Sequence, residues 1–139
     1  MSGPRRAALL VAAAAVLLGG VTLWALEGRE VVVLRTWMPD GGRRQTRTWI
    51  ADADGAEWVE AANPERLFLL DLRRDPRVEL KRGGRDEERV ATVIEGDGGH
   101  RRIRSLLRER YGVADAWIGL LADTSRSVAI RLDPPVAAR

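Results

Sequence analysis

The chain has 139 residues, which predicts one domain, and its 45% hydrophobic and 31% charged residues exclude both a disordered chain and a fully membrane-embedded one. The chain has no cysteine, and His100 is its one histidine, which excludes disulfides, thiol nucleophiles, iron–sulfur clusters and multi-histidine metal sites, so no metal is expected. All but one of the 23 basic residues are arginine, yet the net charge is only +3, so the composition calls for no polyanionic partner.

The first predicted element is an apolar helix. An uncharged run of 20 residues, 7–26, follows Arg5 and Arg6. At 1.5 Å per residue this run is about 30 Å long, the thickness of a bilayer's hydrocarbon core. The alternative is a cleaved signal peptide, which has a shorter apolar centre and ends at a small-x-small site. Residues 23–27 offer no such site, so the sequence favours an uncleaved anchor that contacts the lipid bilayer.

Charges flanking the run predict its orientation. Two arginines precede it, whereas Glu27, Arg29 and Glu30 follow it, so the positive-inside rule places the N-terminus in the cytoplasm and the domain outside. Without Arg5 and Arg6, basic and acidic residues nearly balance, so no nucleic acid is expected as a partner. The expected layout is a cytoplasmic N-terminus at 1–6, a single span of the plasma (inner) membrane at 7–26, a folded domain at 27–134 and a flexible tail at 135–139.

After the anchor, six stretches have the composition or alternation of strands. They are residues 30–37, 43–51, 56–62, 77–82, 85–95 and 127–132. The first is continuously apolar at 31–34, which predicts burial on both faces. Asp54-Gly55 predicts a tight hairpin between the second and third.

Helices are predicted between and after these strands. The first is expected to have Asn63 as its N-cap and Pro64 as its first residue, and to run through Leu67, Leu70 and Leu72, with Phe68 on an adjoining apolar stripe. Residues 100–111 and 114–122 form two further predicted helices. The prediction is therefore an α+β protein, an antiparallel six-stranded sheet that closes into a small barrel with short flanking helices, preceded by one transmembrane helix.

Two stretches are candidates for binding an anion. On the second strand, alternation places Arg47 and Trp49 on one face, a combination that suits a planar, anionic ligand. The alternative is an exposed hairpin arm with solvated arginines. The second candidate is the helix start at Asn63, where free backbone N–H groups and Arg66 are close together, although every helix needs such capping. Together they predict a single anion site.

The order of elements resembles the flavin- and deazaflavin-binding split β-barrels. That superfamily includes the pyridoxamine-phosphate-oxidase-like proteins and the deazaflavin-dependent nitroreductase and quinone-reductase group. The similarity is carried by the passage Leu72-Arg73-Arg74-Asp75-Pro76-Arg77-Val78-Glu79-Leu80 and by the ending Tyr111-Gly112 followed by Ser127-Val128-Ala129-Ile130-Arg131-Leu132. The chain departs from the family at its phosphate loop, which reads Pro39-Asp40-Gly41-Gly42-Arg43-Arg44.

The resemblance implies a site, a cofactor and an assembly. The cofactor phosphate is expected at Arg47, Thr48, Trp49, Ala62, Asn63 and Arg66, with Arg66 replacing a lysine common in flavin binders. The implied cofactor is FMN or an 8-hydroxy-5-deazaflavin, bound in a homodimer. The resulting hypothesis is a membrane-anchored oxidoreductase that reduces a small acceptor of quinone or nitro type, with no side chain assigned as a catalytic acid or base. The alternatives are a non-catalytic binding or scaffolding barrel tethered to the membrane, and a small extracytoplasmic ligand-binding protein.

Overall fold

The computed structural model describes residues 3–27 and 30–137, and within them it has four helices and six strands. In chain order they are α1 (Gly3–Glu27), β1 (Val31–Trp37), β2 (Arg43–Ala53), β3 (Ala56–Ala61), α2 (Leu67–Arg74), β4 (Arg77–Arg82), β5 (Arg85–Ile94), α3 (Gly96–Tyr111), α4 (Val113–Leu121) and β6 (Val128–Asp133). The predicted α+β class and all six predicted strands are confirmed.

Helix α1 contains the predicted apolar run. Its segment Gly3–Trp24 has a mean hydropathy of 2.2 over its most apolar window, and that window is not buried against the rest of the protein. The segment is long and apolar enough to cross a membrane, although a signal sequence near an N-terminus can also meet this criterion of length and composition. Residues 1–2 of the predicted cytoplasmic N-terminus and 138–139 of the predicted tail lie outside the described residues, and residues 134–137 have no regular secondary structure.

The six strands close into an antiparallel barrel in the order β1-β2-β3-β6-β5-β4. Its interior is filled by fully buried aliphatic side chains that alternate along each strand, among them Leu34, Ile50 and Ile130. The prediction that the first strand is buried on both faces is wrong, because Val31 and Val33 are only half-buried. A strand in a closed barrel has one interior face, and its outer face is covered only where a helix packs on it.

Strand β2 has one edge that is only partly paired. Its first part, Arg43–Trp49, pairs with β1. In the described part of the chain, β2 meets β3 only through the pairs from Ile50–Val59 to Ala53–Ala56. The barrel is therefore split between the start of β2 and the end of β3.

Helix α2 begins later than predicted. Its N-cap is Arg66, so the prediction of Asn63 as the N-cap is wrong. The Asn63 side-chain Oδ1 instead accepts a hydrogen bond of 3.1 Å from the backbone N–H of Glu65. Such an Asx turn competes with helix formation, and it holds this segment as a turn until Leu67.

The later start goes with a different buried face on α2. Of the four predicted apolar residues, Phe68 and Leu72 are buried, together with Leu69, whereas Leu67 and Leu70 are exposed. The buried face also brings Asp71 into the barrel end, where its Oδ2 accepts hydrogen bonds from the Thr36 hydroxyl at 2.9 Å and from Arg44 Nε at 2.8 Å. These hydrogen bonds compensate for the cost of burying a carboxylate on this face of α2.

A second core lies outside the barrel, beneath α3 and α4. It consists of Ala51, Trp58, Ile103, Leu106, Leu107, Tyr111, Ala114 and Ala129, with Trp49, Ala53, Ile94, Trp117 and Ile118 packed against it. Helix α3 lies so close to the end of β5 that a Cβ on Gly99 would be 2.3 Å from the Ile94 carbonyl oxygen. This packing covers the outer face of β2 and β3 beside the split.

Candidate functional site

A cavity of about 410 Å³ lies beside the unpaired edge of β2. It is lined by Val31, Thr46, Arg47, Thr48, Trp49, Glu60, Ala62, Arg66, Phe68, Arg104, Leu107, Asp115, Ile118, Gly119, Ala122 and Thr124. Its volume is within the range of about 300–1,000 Å³ that is typical of small-molecule sites.

One side of the cavity is cationic. Arg47 from β2 and Arg66 from the turn before α2 both line it, and both are exposed. Within residues 3–27 and 30–137, neither guanidinium has an ion-pair partner. Thr46 and Thr48 add hydroxyl groups to the same wall. This side can therefore accept a phosphate or carboxylate without first breaking a salt bridge.

The backbone of β2 contributes to the same wall. Because residues 43–49 pair with β1 alone among the described strands, every second residue there directs its N–H and C=O away from β1. Such an unpaired edge binds ligands through main-chain hydrogen bonds. The split in the barrel thus supplies the cavity with polar backbone groups beside its two free arginines.

The opposite wall carries a buried ion cluster. Arg104 on α3 donates to both oxygens of Asp115 at 2.7 Å and to Glu60 Oε2 at 2.9 Å. The side chains of Asp115 and Glu60 are 5% and 12% exposed, so these charges are largely removed from water. Burial raises the pKa of Glu60, and the hydrogen bond with Ser127 and the charge of Arg104 oppose that rise only in part.

Trp49, which lines the cavity, packs against Tyr111 of the outer core. The ring of Trp49 lies 4.8 Å from that of Tyr111, with the planes 38° apart. The Tyr111 hydroxyl donates a 2.6 Å hydrogen bond to the Ile50 carbonyl, and burial raises the pKa of Tyr111. Trp49 is therefore held against the outer core while it also lines the cavity.

The structure brings together five of the six predicted site residues. Arg47, Thr48, Trp49, Ala62 and Arg66 line the one cavity. Asn63 does not, since its side chain serves the turn at Glu65. Proximity is what the structure establishes, and cofactor binding by these residues stays a prediction.

The sequence analysis did not predict the buried ion cluster. Glu60, Arg104 and Asp115 lie on three elements, and they meet because α3 packs across β3 and α4 follows α3 directly. The sequence carries no spacing signal for such a tertiary cluster. The one available hint is Asp115, the single charge in the otherwise apolar segment Val113–Leu121.

A second, more open hollow adjoins the first and shares Arg104, Asp115, Gly119 and Thr124 with it. His100 lines this hollow, and its Nδ1 lies 2.8 Å from the Ser127 hydroxyl. Among the described residues no group of three or more acidic or histidine side chains is arranged to hold a metal ion.

Comparison with known proteins gives structural neighbours. No protein-family model matches the chain, and no curated protein matches it by sequence. A conserved hypothetical protein from Mycobacterium tuberculosis is 24% identical with a TM-score of 0.59, over 87% of this chain and 80% of its own. An F420-H2-dependent reductase is 18% identical with a TM-score of 0.57, and the match covers 76% of this chain and 95% of the reductase. The heme storage protein of Vibrio cholerae is 16% identical with a TM-score of 0.57, and the match covers 86% of this chain and 90% of that protein.

These neighbours agree in architecture and differ in the ligands that their names imply, so at this level of identity they inform on fold alone. The closed six-stranded barrel, with its split beside β2, matches them over most of the chain. The chain therefore has a split β-barrel fold, similar to those of a putative pyridoxamine 5'-phosphate oxidase from Listeria innocua and of an F420-H2-dependent reductase.

Proposed function

We propose that this protein is a membrane-anchored oxidoreductase that binds a flavin-type cofactor, FMN or an 8-hydroxy-5-deazaflavin, and reduces a small acceptor of quinone or nitro type. One observation carries the proposal: two arginines without carboxylate partners among the described residues, Arg47 and Arg66, line one cavity beside an unpaired strand edge. The F420-H2-dependent reductases among the structural neighbours support the same class of cofactor.

The residues present fit the two ends of such a cofactor. Arg47 and Arg66 would hold the phosphate, with the hydroxyl of Thr48 and the free N–H groups of β2 as further donors. Apolar side chains would pack beside the flat ring, chiefly Phe68 and Ile118. A flavin or deazaflavin supplies hydride transfer when bound, and the protein's part is to orient the ring and keep water from it.

The anchor and the assembly belong to the same proposal. The apolar length of Gly3–Trp24 supports a single-pass plasma-membrane protein. Arg5 and Arg6 support a cytoplasmic N-terminus and a domain outside the cytoplasm. A homodimer follows from the family that the sequence resembles. Sedimentation of the detergent-solubilised chain tests that last point, because a monomer at all protein concentrations would contradict it.

Cofactor binding is tested by thermal unfolding of the full chain in detergent micelles, with FMN and the deazaflavin added separately. A ligand that binds only the folded state raises the melting temperature. Arg47→Ala and Arg66→Ala are each expected to weaken binding about 10- to 100-fold, the range for a charged hydrogen bond of about 1.5–3 kcal/mol. Arg85→Ala is the matched control, because it removes an exposed arginine that does not line the cavity.

The same experiment distinguishes the oxidoreductase from the alternative, a non-catalytic barrel tethered to the membrane. If neither cofactor shifts the melting temperature at about millimolar concentration, where weak sites register, the oxidoreductase proposal is contradicted. A non-catalytic barrel tethered at the membrane would then describe the protein better.

A further inference from the structure

The exposed face of α4 is unusually apolar for a surface helix. Asp115 is the one charged residue among Val113–Leu121, and it is turned inward to Arg104. Outward-facing Val113, Leu120 and Leu121 are 75%, 81% and 56% exposed. These three residues, which we call the α4 apolar face, leave large aliphatic side chains in solvent unless something covers them.

The position of α4 relative to α1 indicates what covers it. Trp117 on α4 donates a 3.0 Å hydrogen bond from its indole Nε1 to the hydroxyl of Thr22, and the two helices are in contact. Thr22 lies inside the apolar segment Gly3–Trp24, five residues before the last residue of α1, or about 8 Å along the axis. If α1 crosses a membrane, Trp117 must lie close to the boundary between hydrocarbon and headgroups.

A tryptophan with a polar contact and an apolar body is typical of that boundary. Helices that lie in the interface plane combine one apolar face with polar groups turned elsewhere. A second copy of the chain is a poorer match for the α4 apolar face. Nine residues of helix, about 14 Å long, cannot supply the roughly 800 Å² per partner that a stable dimer interface buries.

We propose that α4 docks on the surface of the bilayer, with Val113, Leu120 and Leu121 inserted among the lipid headgroups and upper acyl chains. The inference rests on the membrane anchor of the proposed function. Because Ile118 and Gly119 of α4 also line the cavity, docking places one cavity wall at headgroup level. An acceptor dissolved in the bilayer then reaches the cavity without crossing bulk water, a consequence that additionally rests on the proposed redox role.

The absence of cysteine makes a clean test possible in the full chain. Leu120→Cys is labelled with the environment-sensitive fluorophore NBD, and the protein is placed in vesicles of phosphatidylcholine and phosphatidylglycerol. Pro39→Cys is the matched control, because Pro39 is an exposed turn residue between β1 and β2, at the other end of β1 from α1. We expect nitroxide-labelled lipid to remove most of the emission at position 120 and little of it at position 39.

Three results would overturn the docking. Emission at position 120 that is typical of water and unaffected by nitroxide lipid means a solvated helix. Emission that is shielded from water yet unquenched means that protein, such as a second copy, covers the face. Release of the whole chain by alkaline carbonate overturns the anchor and the docking together. Failure to bind a flavin or deazaflavin contradicts the redox proposal and leaves the docking intact, so the failures are distinguishable.

Discussion

The arginines near the start of β1 and those at the cavity have contrasting environments. Arg82 donates to Glu30 at 2.6 Å, Asp52 at 2.7 Å and Glu57 at 3.1 Å, and Arg110 also contacts two of these carboxylates. Arg47 and Arg66, in contrast, face a cavity with no carboxylate partner in the described part of the chain. In a chain this rich in arginine, a ligand site is favoured by two features together, the missing carboxylate partner and a position in the lining of the cavity, rather than by the residue type alone.

The fold explains why the two groups of arginines differ in their carboxylate partners. Strand ends converge at the Arg82 end of the barrel, so carboxylates from β2 and β3 reach the same guanidinium. At the split, β3 no longer pairs with the start of β2, and the acid of β3 that lines the cavity, Glu60, is already bound to Arg104. Arg104 is an intermediate case, because it lines the cavity but is already held by two acids.

Removing Arg104 should give the largest loss of stability. Arg104→Met leaves the Asp115 side chain, which is 5% exposed, without its cation. Breaking a buried pair from one side costs about 3 kcal/mol or more. We expect a fall of that size in the free energy of unfolding, measured by urea titration in detergent micelles.

The matched control is Arg108→Met, on the exposed face of the same helix, which should change stability by less than about 0.5 kcal/mol. Equal effects of the two substitutions would mean that the buried ion cluster contributes no more to the free energy of unfolding than an exposed arginine does.

Removing Arg82 should have a smaller effect that sharpens the contrast. Two of its partners, Glu30 and Asp52, are 33% and 51% exposed, so water screens the charges that Arg82→Met leaves there. The third partner, Glu57, is 14% exposed and keeps a second cation in Arg89. We expect a loss of about 1 kcal/mol in unfolding free energy and an unchanged affinity for FMN. An altered FMN affinity would show that the distinction between structural and ligand-binding arginines is mistaken.

The pH dependence conferred by Glu60 should be the smallest of these effects. Burial raises the pKa of Glu60 above its usual 4.5, so the folded state holds this proton more tightly than the unfolded state. Its contribution is therefore most favourable below pH 4.5 and becomes less favourable as pH rises through the raised value. Glu60→Gln should flatten the part of the stability profile that lies above pH 4.5, and an unchanged profile would contradict the assignment.

Local patterns in the sequence were sufficient to predict most of the strands and helices of the fold. Period-two alternation and the Asp54-Gly55 turn predict the strands and the hairpin between β2 and β3, because these features depend on neighbouring residues alone. The start of α2 was predicted wrongly, since Asn63 is equally suited to an N-cap and to an Asx turn.

The site was predictable only on one side. Arg47 and Arg66 stand out because each lies in a stretch with its own chemical signal, a strand with an aromatic neighbour and a turn before a helix. Glu60, Arg104 and Asp115 meet only through the packing of α3 and α4 against β3, and that packing has no counterpart in local spacing. The sequence likewise does not predict the α4 apolar face, because only the structure shows that Asp115 points inward to Arg104.

The central claim, that Arg47 and Arg66 hold a phosphate, is tested most directly by phosphate discrimination. FMN is compared with riboflavin, and the deazaflavin with its phosphate-free riboside, in fluorescence titrations of the full chain and of the Arg47→Ala, Arg66→Ala double variant. We expect at least one phosphorylated ligand to bind about 100-fold more tightly than its riboside, from two charged contacts, and the double variant to lose that preference. Equal affinities with and without phosphate, or a preference that survives in the double variant, would contradict the account.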